Sequence, residues 1–326
     1  MTGRAAKRIG PGTVFVALFA AAGPGHADPP RTRTLTYDAK QKSWAELPPP
    51  PPGTPEGDLH LIRVAINEGR YRSGRSAIKE FVKTYGESDA TYPQVLLAQA
   101  DLLIRDREYD KAHKVLETFL SRFGGMAATE EALRLKFVIA DVFLSGVKRK
   151  VWGVRWLPSE DLALRILDEI STDYPESPLA ELAVKTKADY LFNTGDHGLA
   201  ELEYARLLKD YAQSRYQRFA MLQTAESALA GFRGIDFDDA GLIEASERYS
   251  DYLARWPADA DRERIGLIQE TIREQRAEKE LTIGHYYERT DHLSSAIFYF
   301  RSVVENWPDT IAATKARDRL ELLGAT

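Results

Sequence analysis

One set of offsets dominates the hydrophobic pattern of the chain. In "SSAIFYFRSVVENWPDT", Ser294 to Thr310, the small residue Ala296 is followed by Phe300 and Val303, then by Trp307 directly before Pro308. Offsets of 0, 4, 7 and 11 fall on one face of an α-helix, and the proline ends it. The arrangement occurs six times in order. The other sets are Gly74, Ile78, Phe81, Tyr85; Ala112, Leu116, Phe119, Phe123; Ala163, Leu167, Ile170, Tyr174; Ala200, Tyr204, Leu207, Tyr211; and Ala245, Tyr249, Tyr252, Trp256. Each is followed by Pro, Gly or Ala. The small residue lets a neighbouring helix approach to ~8–10 Å, and the aromatic closes the end of the interface.

Each set predicts a partner helix before it. Ala100, Ala188 and Gly284 lie twelve positions before Ala112, Ala200 and Ala296. Turn residues fall between the two helices at Gly69-Arg70-Tyr71, Asp106-Arg107-Glu108 and Asn193-Thr194-Gly195-Asp196. Helix, short turn, helix, with small residues at that spacing, is the tetratricopeptide pattern. Successive aromatics lie 38, 51, 37, 45 and 51 residues apart, against a nominal period of ~34, so several repeats carry insertions or long helices. The predicted fold is all-α: an α-solenoid of six tetratricopeptide-like helix pairs over residues 58–326. A capping helix over 311–323 closes it, with Ala312, Ala316 and Leu320 facing inward. Such a stack buries a continuous core between neighbouring repeats.

The pattern breaks down before residue 58. Arg4, Lys7 and Arg8 precede an apolar stretch from Thr13 to Ala22, and Gly25-His26-Ala27 offers small residues for cleavage after Ala27. Residues 1–27 therefore read as a secretory signal peptide. The apolar stretch is too short to favour a membrane-spanning anchor. Residues 28–57 hold Pro29-Pro30 and the run Pro48 to Pro52, which favours an extended polyproline spacer and forbids a helix. A docking peptide for a partner is the other reading of this tail.

Composition narrows the function classes. The chain is 44% apolar and 29% charged, a folding composition. Loss of residues 1–27, with three basic and no acidic residues, takes the formal charge from −5 to −8. An acidic chain is repelled by phosphate backbones, so nucleic-acid binding is disfavoured. There is no cysteine, which removes disulfides, thiolate metal sites, a cysteine nucleophile and a lipid-bearing cysteine. No cofactor is expected. Peripheral membrane association would have to come through protein partners.

Candidate chemistry is sparse. His285 and His292 flank a turn with Glu288 nearby, but no metal-ligand spacing is completed. Asp236, Asp238, Gly241 and Glu247 match positions 1, 3, 6 and 12 of a calcium loop, but position 5 is Ala240. The helix carrying Ala245 also needs this stretch, so Asp238 or Asp239 reads better as an N-cap. The insertion Gly146 to Glu160 sets Lys148, Arg149, Lys150 and Arg155 beside Trp152 and Trp156. It reads either as a partner-binding loop with aromatic anchors or as a long loop packed back on the repeats. The inner wall of a solenoid is its usual peptide groove. In the first two pairs Arg63, Asn67, Gln94, Asp101 and Arg105 are expected there, with Ile66 and Leu97. A solvated helix face is the plainer reading of the same charges. No nucleophile triad, phosphate loop or haem motif is present.

The segment "FRGIDFDDAGLIEASERYSDYLARWPADAD", followed by "REQRAEKELTIGHYYERTDHLSSAIFYFRSVVENWPDT", resembles the BamD/ComL family, the tetratricopeptide subunit of the outer-membrane β-barrel assembly machinery. The shared elements are an Asp-rich turn before "A…Y…YL…WP", a long helix hairpin and "F…VVENWPDT". The closest stretch is residues 231–326, with a looser match back to residue 58. The resemblance implies a periplasmic platform beside the barrel-inserting subunit. Its N-terminal repeats would bind unfolded barrel segments and its C-terminal repeats would dock the main subunit. Family members are usually lipoproteins, and here the chain departs from them, having no cysteine to acylate. The expected function is a non-enzymatic periplasmic scaffold in outer-membrane barrel assembly. The alternatives are another envelope adaptor, serving peptidoglycan or a division complex, and the superhelical part of a glycan-cleaving enzyme.

Overall fold

The computed structural model describes residues 35–38, 43–46, 49–151, 154–234 and 238–325. A short antiparallel hairpin, β1 (Leu35–Asp38) and β2 (Ser43–Glu46), comes first, with Leu35 opposite Glu46. Part of the tail expected to be wholly extended is therefore paired with itself. Residues 1–27, expected to be a signal peptide, lie outside the described residues. The first repeat starts at residue 55, three positions earlier than its prolines and glycines suggested.

The first unit, residues 1–139 with 148–157, holds α1 (Pro55–Asn67), α2 (Tyr71–Tyr85), α3 (Tyr92–Arg105) and α4 (Tyr109–Phe123). It also holds the hairpin β3 (Arg149–Val151) and β4 (Val154–Leu157). The second unit, residues 140–147 with 158–326, holds α6 (Glu160–Asp173), α7 (Pro178–Thr194), α8 (His197–Asp210), α9 (Gln217–Ala230), α10 (Ala240–Arg255) and the short α11 (Pro257–Arg262). It continues through the long α12 (Ile265–Arg289), α13 (Leu293–Asn306) and α14 (Ile311–Leu322). The division falls inside α5 (Thr129–Leu144), between Ile139 and Ala140.

Local chemistry explains the early start of α1. Pro55 occupies the first helical position, where its missing N–H is no loss. Thr54 caps the helix by accepting from the Gly57 N–H at 3.1 Å. A Cβ on Gly57 would lie 2.0 Å from the Pro51 carbonyl oxygen. The glycine is thus what lets the proline run fold against the first turn.

The small residues Gly74, Ala112, Ala163, Ala200, Ala245 and Ala296 fall in α2, α4, α6, α8, α10 and α13, and all six are buried. The apolar residues four and seven positions after each are buried as well. Helices α1 and α2, α3 and α4, α7 and α8, α9 and α10, and α12 and α13 pack as pairs, and α14 packs on α12 and α13. Two glycines show how tight the crossings are. A Cβ at Gly74 would lie 2.8 Å from Leu102 Cδ1, and one at Gly284 would lie 2.6 Å from Phe300 Cε1. This is the all-α, tetratricopeptide-like repeat expected from the sequence, closed by α14.

Four of the turns inside the pairs share one geometry. Gly69, Arg107, Gly195 and Asp291 each adopt a left-handed conformation, with φ of 72°, 60°, 89° and 62°. The next residue's N–H reaches back five positions in every case: Arg70 to Ala65, Glu108 to Leu103, Asp196 to Leu191 and His292 to Tyr287, at 2.7–2.9 Å. This helix-ending bond satisfies a carbonyl that the helix leaves open. Glycine takes the left-handed position without penalty, whereas Arg107 and Asp291 hold it against a steric cost.

Candidate peptide-binding cleft

The first helices of the N-terminal unit align their polar faces with the repeat period. Arg63 and Asn67 of α1, Leu97 and Asp101 of α3, and Glu131 and Leu135 of α5 stand 34 residues apart in sequence. Together with Ile66, Ala98 and Arg134 they line one cleft of about 280 Å³. Its apolar floor is buried, Ile66 being 2% and Leu97 1% exposed. Arg63, Asn67, Asp101, Glu131 and Arg134 stand round it.

Three of the five anticipated groove residues, Arg63, Asn67 and Asp101, therefore line the cleft itself. The other two brace them. Gln94 Oε1 accepts from Arg63 Nη2 at 3.4 Å, a long contact, and Arg105 Nε donates to both Asp101 carboxylate oxygens at 3.0 Å. The α5 residues Glu131, Arg134 and Leu135 were not anticipated. Adding the 34-residue spacing to Leu97 and Asp101 would have found Glu131 and Leu135. Among the described residues, neither Arg63 nor Arg134 has a carboxylate partner. Two cations over an apolar floor, with amide and carboxylate groups beside them, suit an extended peptide with apolar side chains and acidic or backbone acceptors.

The second anticipated site is resolved differently. The insertion folds as the hairpin β3–β4 rather than as an open loop, with a register irregularity between Arg149 and Lys150. Arg149 Nε donates to Asp110 Oδ1 at 2.6 Å, and Lys150 Nζ donates to Glu108 Oε1 at 2.8 Å. The Lys150 N–H adds a bond to Asp110 Oδ2 at 3.2 Å. Two charges of the expected positive patch are thus met by carboxylates at the start of α4. The Lys150 contact outweighs partial burial and, with Lys111, holds the Glu108 carboxyl below its ordinary range. Lys148 also has a partner. Trp152 and the side chains of Arg155 and Trp156 lie outside the described residues.

The remaining acidic motifs are structural. Asp236 lies outside the described residues, while Gly241 and Glu247 sit inside α10. Asp238 Oδ1 accepts from the Ala240 N–H at 3.0 Å, and Asp239 stands 3.5 Å from both Arg276 and Lys279 of α12. His285 contacts Glu288 at 3.2 Å, and Glu288 also pairs with Arg319. Burial opposes the charge on Glu288, but Arg319 and His285 overcome it and hold the carboxyl low. Among the described residues, no group of three or more His, Asp or Glu is placed to hold a metal ion. None of the described helices is long and apolar enough to cross a membrane.

Residues 158–323 match a protein family described as YfiO, outer membrane lipoprotein. The match covers just over half of the 326 residues and lies within the second unit. No curated protein matches the chain. Among solved structures, PilW, described as a widely conserved type IV pilus biogenesis factor, is 15% identical with a TM-score of 0.32, covering 81% of this chain and 99% of that one. A tetratricopeptide repeat protein from Parabacteroides merdae is 11% identical with a TM-score of 0.37, covering 77% and 92%. PilF of Pseudomonas aeruginosa is 12% identical with a TM-score of 0.33, covering 81% and 97%. Likeness at this level carries no functional implication.

Proposed function

We infer the role of this protein from its family and its cleft: the chain belongs to the YfiO family of outer membrane lipoproteins, and it works as a non-enzymatic tetratricopeptide-like adaptor of the cell envelope. More specifically, it is a periplasmic scaffold in outer-membrane β-barrel assembly. It binds the barrel-inserting subunit and receives extended segments of unfolded barrel proteins in the N-terminal cleft. The observation that carries this reading is the 34-residue alignment of α1, α3 and α5 around a cleft whose two arginines have no carboxylate partner among the described residues. Repeat proteins of this type act through such surfaces by contact with other proteins.

Two measurements test the reading. A photoreactive side chain at Asn67, used in cells, should capture unfolded barrel segments, and one on the C-terminal unit should capture the barrel-inserting subunit. Recovery of cell-wall enzymes alone would move the protein to a different envelope complex. Turnover of a murein substrate by the purified chain would overturn the non-enzymatic assignment. Charge reversal at Arg63 and Arg134 together should weaken capture at the cleft. Stability should stay within about 0.5 kcal/mol of the parent, since neither side chain holds an ion pair among the described residues.

A further inference from the structure

Two carboxylates of the C-terminal unit share one cation. Glu201 of α8 follows the buried crossing residue Ala200, and Glu244 of α10 precedes its counterpart Ala245. A residue next to the crossing residue points to a flank of its helix. These two flanks meet where α8 and α10 both pack on α9. The corresponding positions hold Leu164 and Leu199 between α6 and α8, and Ser246 and Ser295 between α10 and α13.

Arg248 Nη2 lies 2.7 Å from Glu201 Oε1 and 2.6 Å from Glu244 Oε1. Its Nε is buried and reaches no acceptor. One nitrogen therefore serves both acids, where a guanidinium fork usually serves one. The two carboxyl groups are also within hydrogen-bonding reach of each other. Ionised together they repel, and a single guanidinium leaves one negative charge uncompensated. The Glu201 side chain is 15% exposed, so water and salt screen that charge weakly.

The neighbouring charges are engaged elsewhere. From α10, Glu244 and Arg248 face Glu201. On α8, Glu203 turns to Lys187 and Arg206, and His197 stands one turn before Glu201. From α7, Lys185 pairs with Asp189, which also accepts from the Tyr204 hydroxyl. From α9, Glu226 acts on Tyr204 and Tyr249. Burial and the Glu244 carboxyl push Glu201 above its ordinary value of 4.5, against the pull of Arg248.

We propose that Glu201 and Glu244 form an acid-responsive latch between α8 and α10, which tightens when the pair takes up one proton from solvent. The new O–H sits on one carboxyl group and donates to the other. Arg248 keeps its charge and balances the carboxylate that remains. An ordinary ion pair responds the opposite way, because acid removes the negative charge and weakens the link. Here the folded state holds the proton more tightly than the unfolded chain does. The added stability is complete below 4.5 and is lost as pH rises through the folded-state value. The latch is independent of the peptide cleft, which lies on the other unit.

The full chain with carbon-13 in its glutamate carboxyl groups reports the titration directly. The Glu201 resonance should have its midpoint above 4.5, and Glu244→Gln should lower that midpoint. His197→Gln should leave it in place. Glu201→Gln imitates the protonated form, with a donor for Glu244 and an acceptor for Arg248. It should raise the thermal midpoint at pH 7 by about 2 °C and have little effect at pH near 4.5. A Glu201 midpoint at or below 4.5, or one that Glu244→Gln leaves unmoved, would overturn the latch. So would a return of the midpoint to 4.5 in His197→Gln, which would make the histidine the responsible group. A Glu201→Gln chain no more stable than the parent at pH 7 would reduce the contact to an ordinary ion pair, and equal rises at both pH values would reduce it to packing.

Discussion

The two units are built from the same helix pair, and both link helices through ion pairs, as Arg75 with Asp106 and Lys136 with Glu117 do in the N-terminal unit, but the cleft described above lies on the N-terminal unit alone. In the C-terminal unit, polar groups link one helix to the next. Lys187 of α7 bridges Asp168 of α6 and Glu203 of α8, each at 2.7 Å. Arg218 of α9 reaches the Tyr252 hydroxyl of α10 at 3.1 Å and Glu263 at 2.7 Å. Glu274 caps α14, and Glu288 holds Arg319. In the N-terminal unit, Arg63 and Arg134 border the cleft and have no carboxylate partner among the described residues. The contrast separates cohesion from recognition. Groups satisfied within the fold hold helices together, and groups left open are the ones a second molecule can satisfy. The family match lies on the cohesive unit, and the candidate cleft lies on the other.

The sharpest way to strain the contrast is to damage the cohesive unit. Phe300 is fully buried against Gly284, and Phe300→Ala should cost about 3–5 kcal/mol in a denaturant melt. Ala296→Trp forces a large ring into a crossing with no exposed surface and should cost about 1–3 kcal/mol or more. An unchanged melt for Ala296→Trp would mean that the residue is not at a helix crossing. Removing the cap with Glu274→Ala should cost about 1 kcal/mol, read as loss of amide-exchange protection at Ile311 and Ala312. Protection that persists would show that this carboxylate contributes no cohesion.

The smallest effect concerns pH. Burial, with Glu263 adding to it, raises the Glu226 carboxyl above its ordinary value of 4.5, although Gln223 pulls the other way. An acid held high in the folded state binds its proton more tightly there than in the unfolded chain. Its contribution therefore makes stability fall as pH rises through and above the ordinary carboxylate range. Glu226→Gln should remove that part of the slope and raise the thermal midpoint at neutral pH more than at pH near 4.5. Equal shifts at both pH values would assign the change to packing.

The repeat was legible because its signal is local and recurs. A small residue, two apolar residues and an aromatic at helical spacing mark every second helix, and the burial of Ala112, Ala200 and Ala296 follows from that spacing alone. Five of the nine residues lining the candidate cleft were legible for the same reason: Arg63, Ile66, Asn67, Leu97 and Asp101. The α5 contribution was one period further on. The ion pairs of the basic insertion were not legible because its partners are remote: Asp110 is 39 residues from Arg149, and Glu108 is 42 from Lys150.

The chain's own periodicity determined the helix pairs, their order and the small residues at their crossings, since a helix fixes which neighbours share a face. Tertiary structure alone decided which charges would meet a partner. An ion pair forms between groups brought together by the packing of separate helices. Whether Arg149 is neutralised while Arg134 has no carboxylate partner among the described residues depends on those distances, which sequence spacing does not encode.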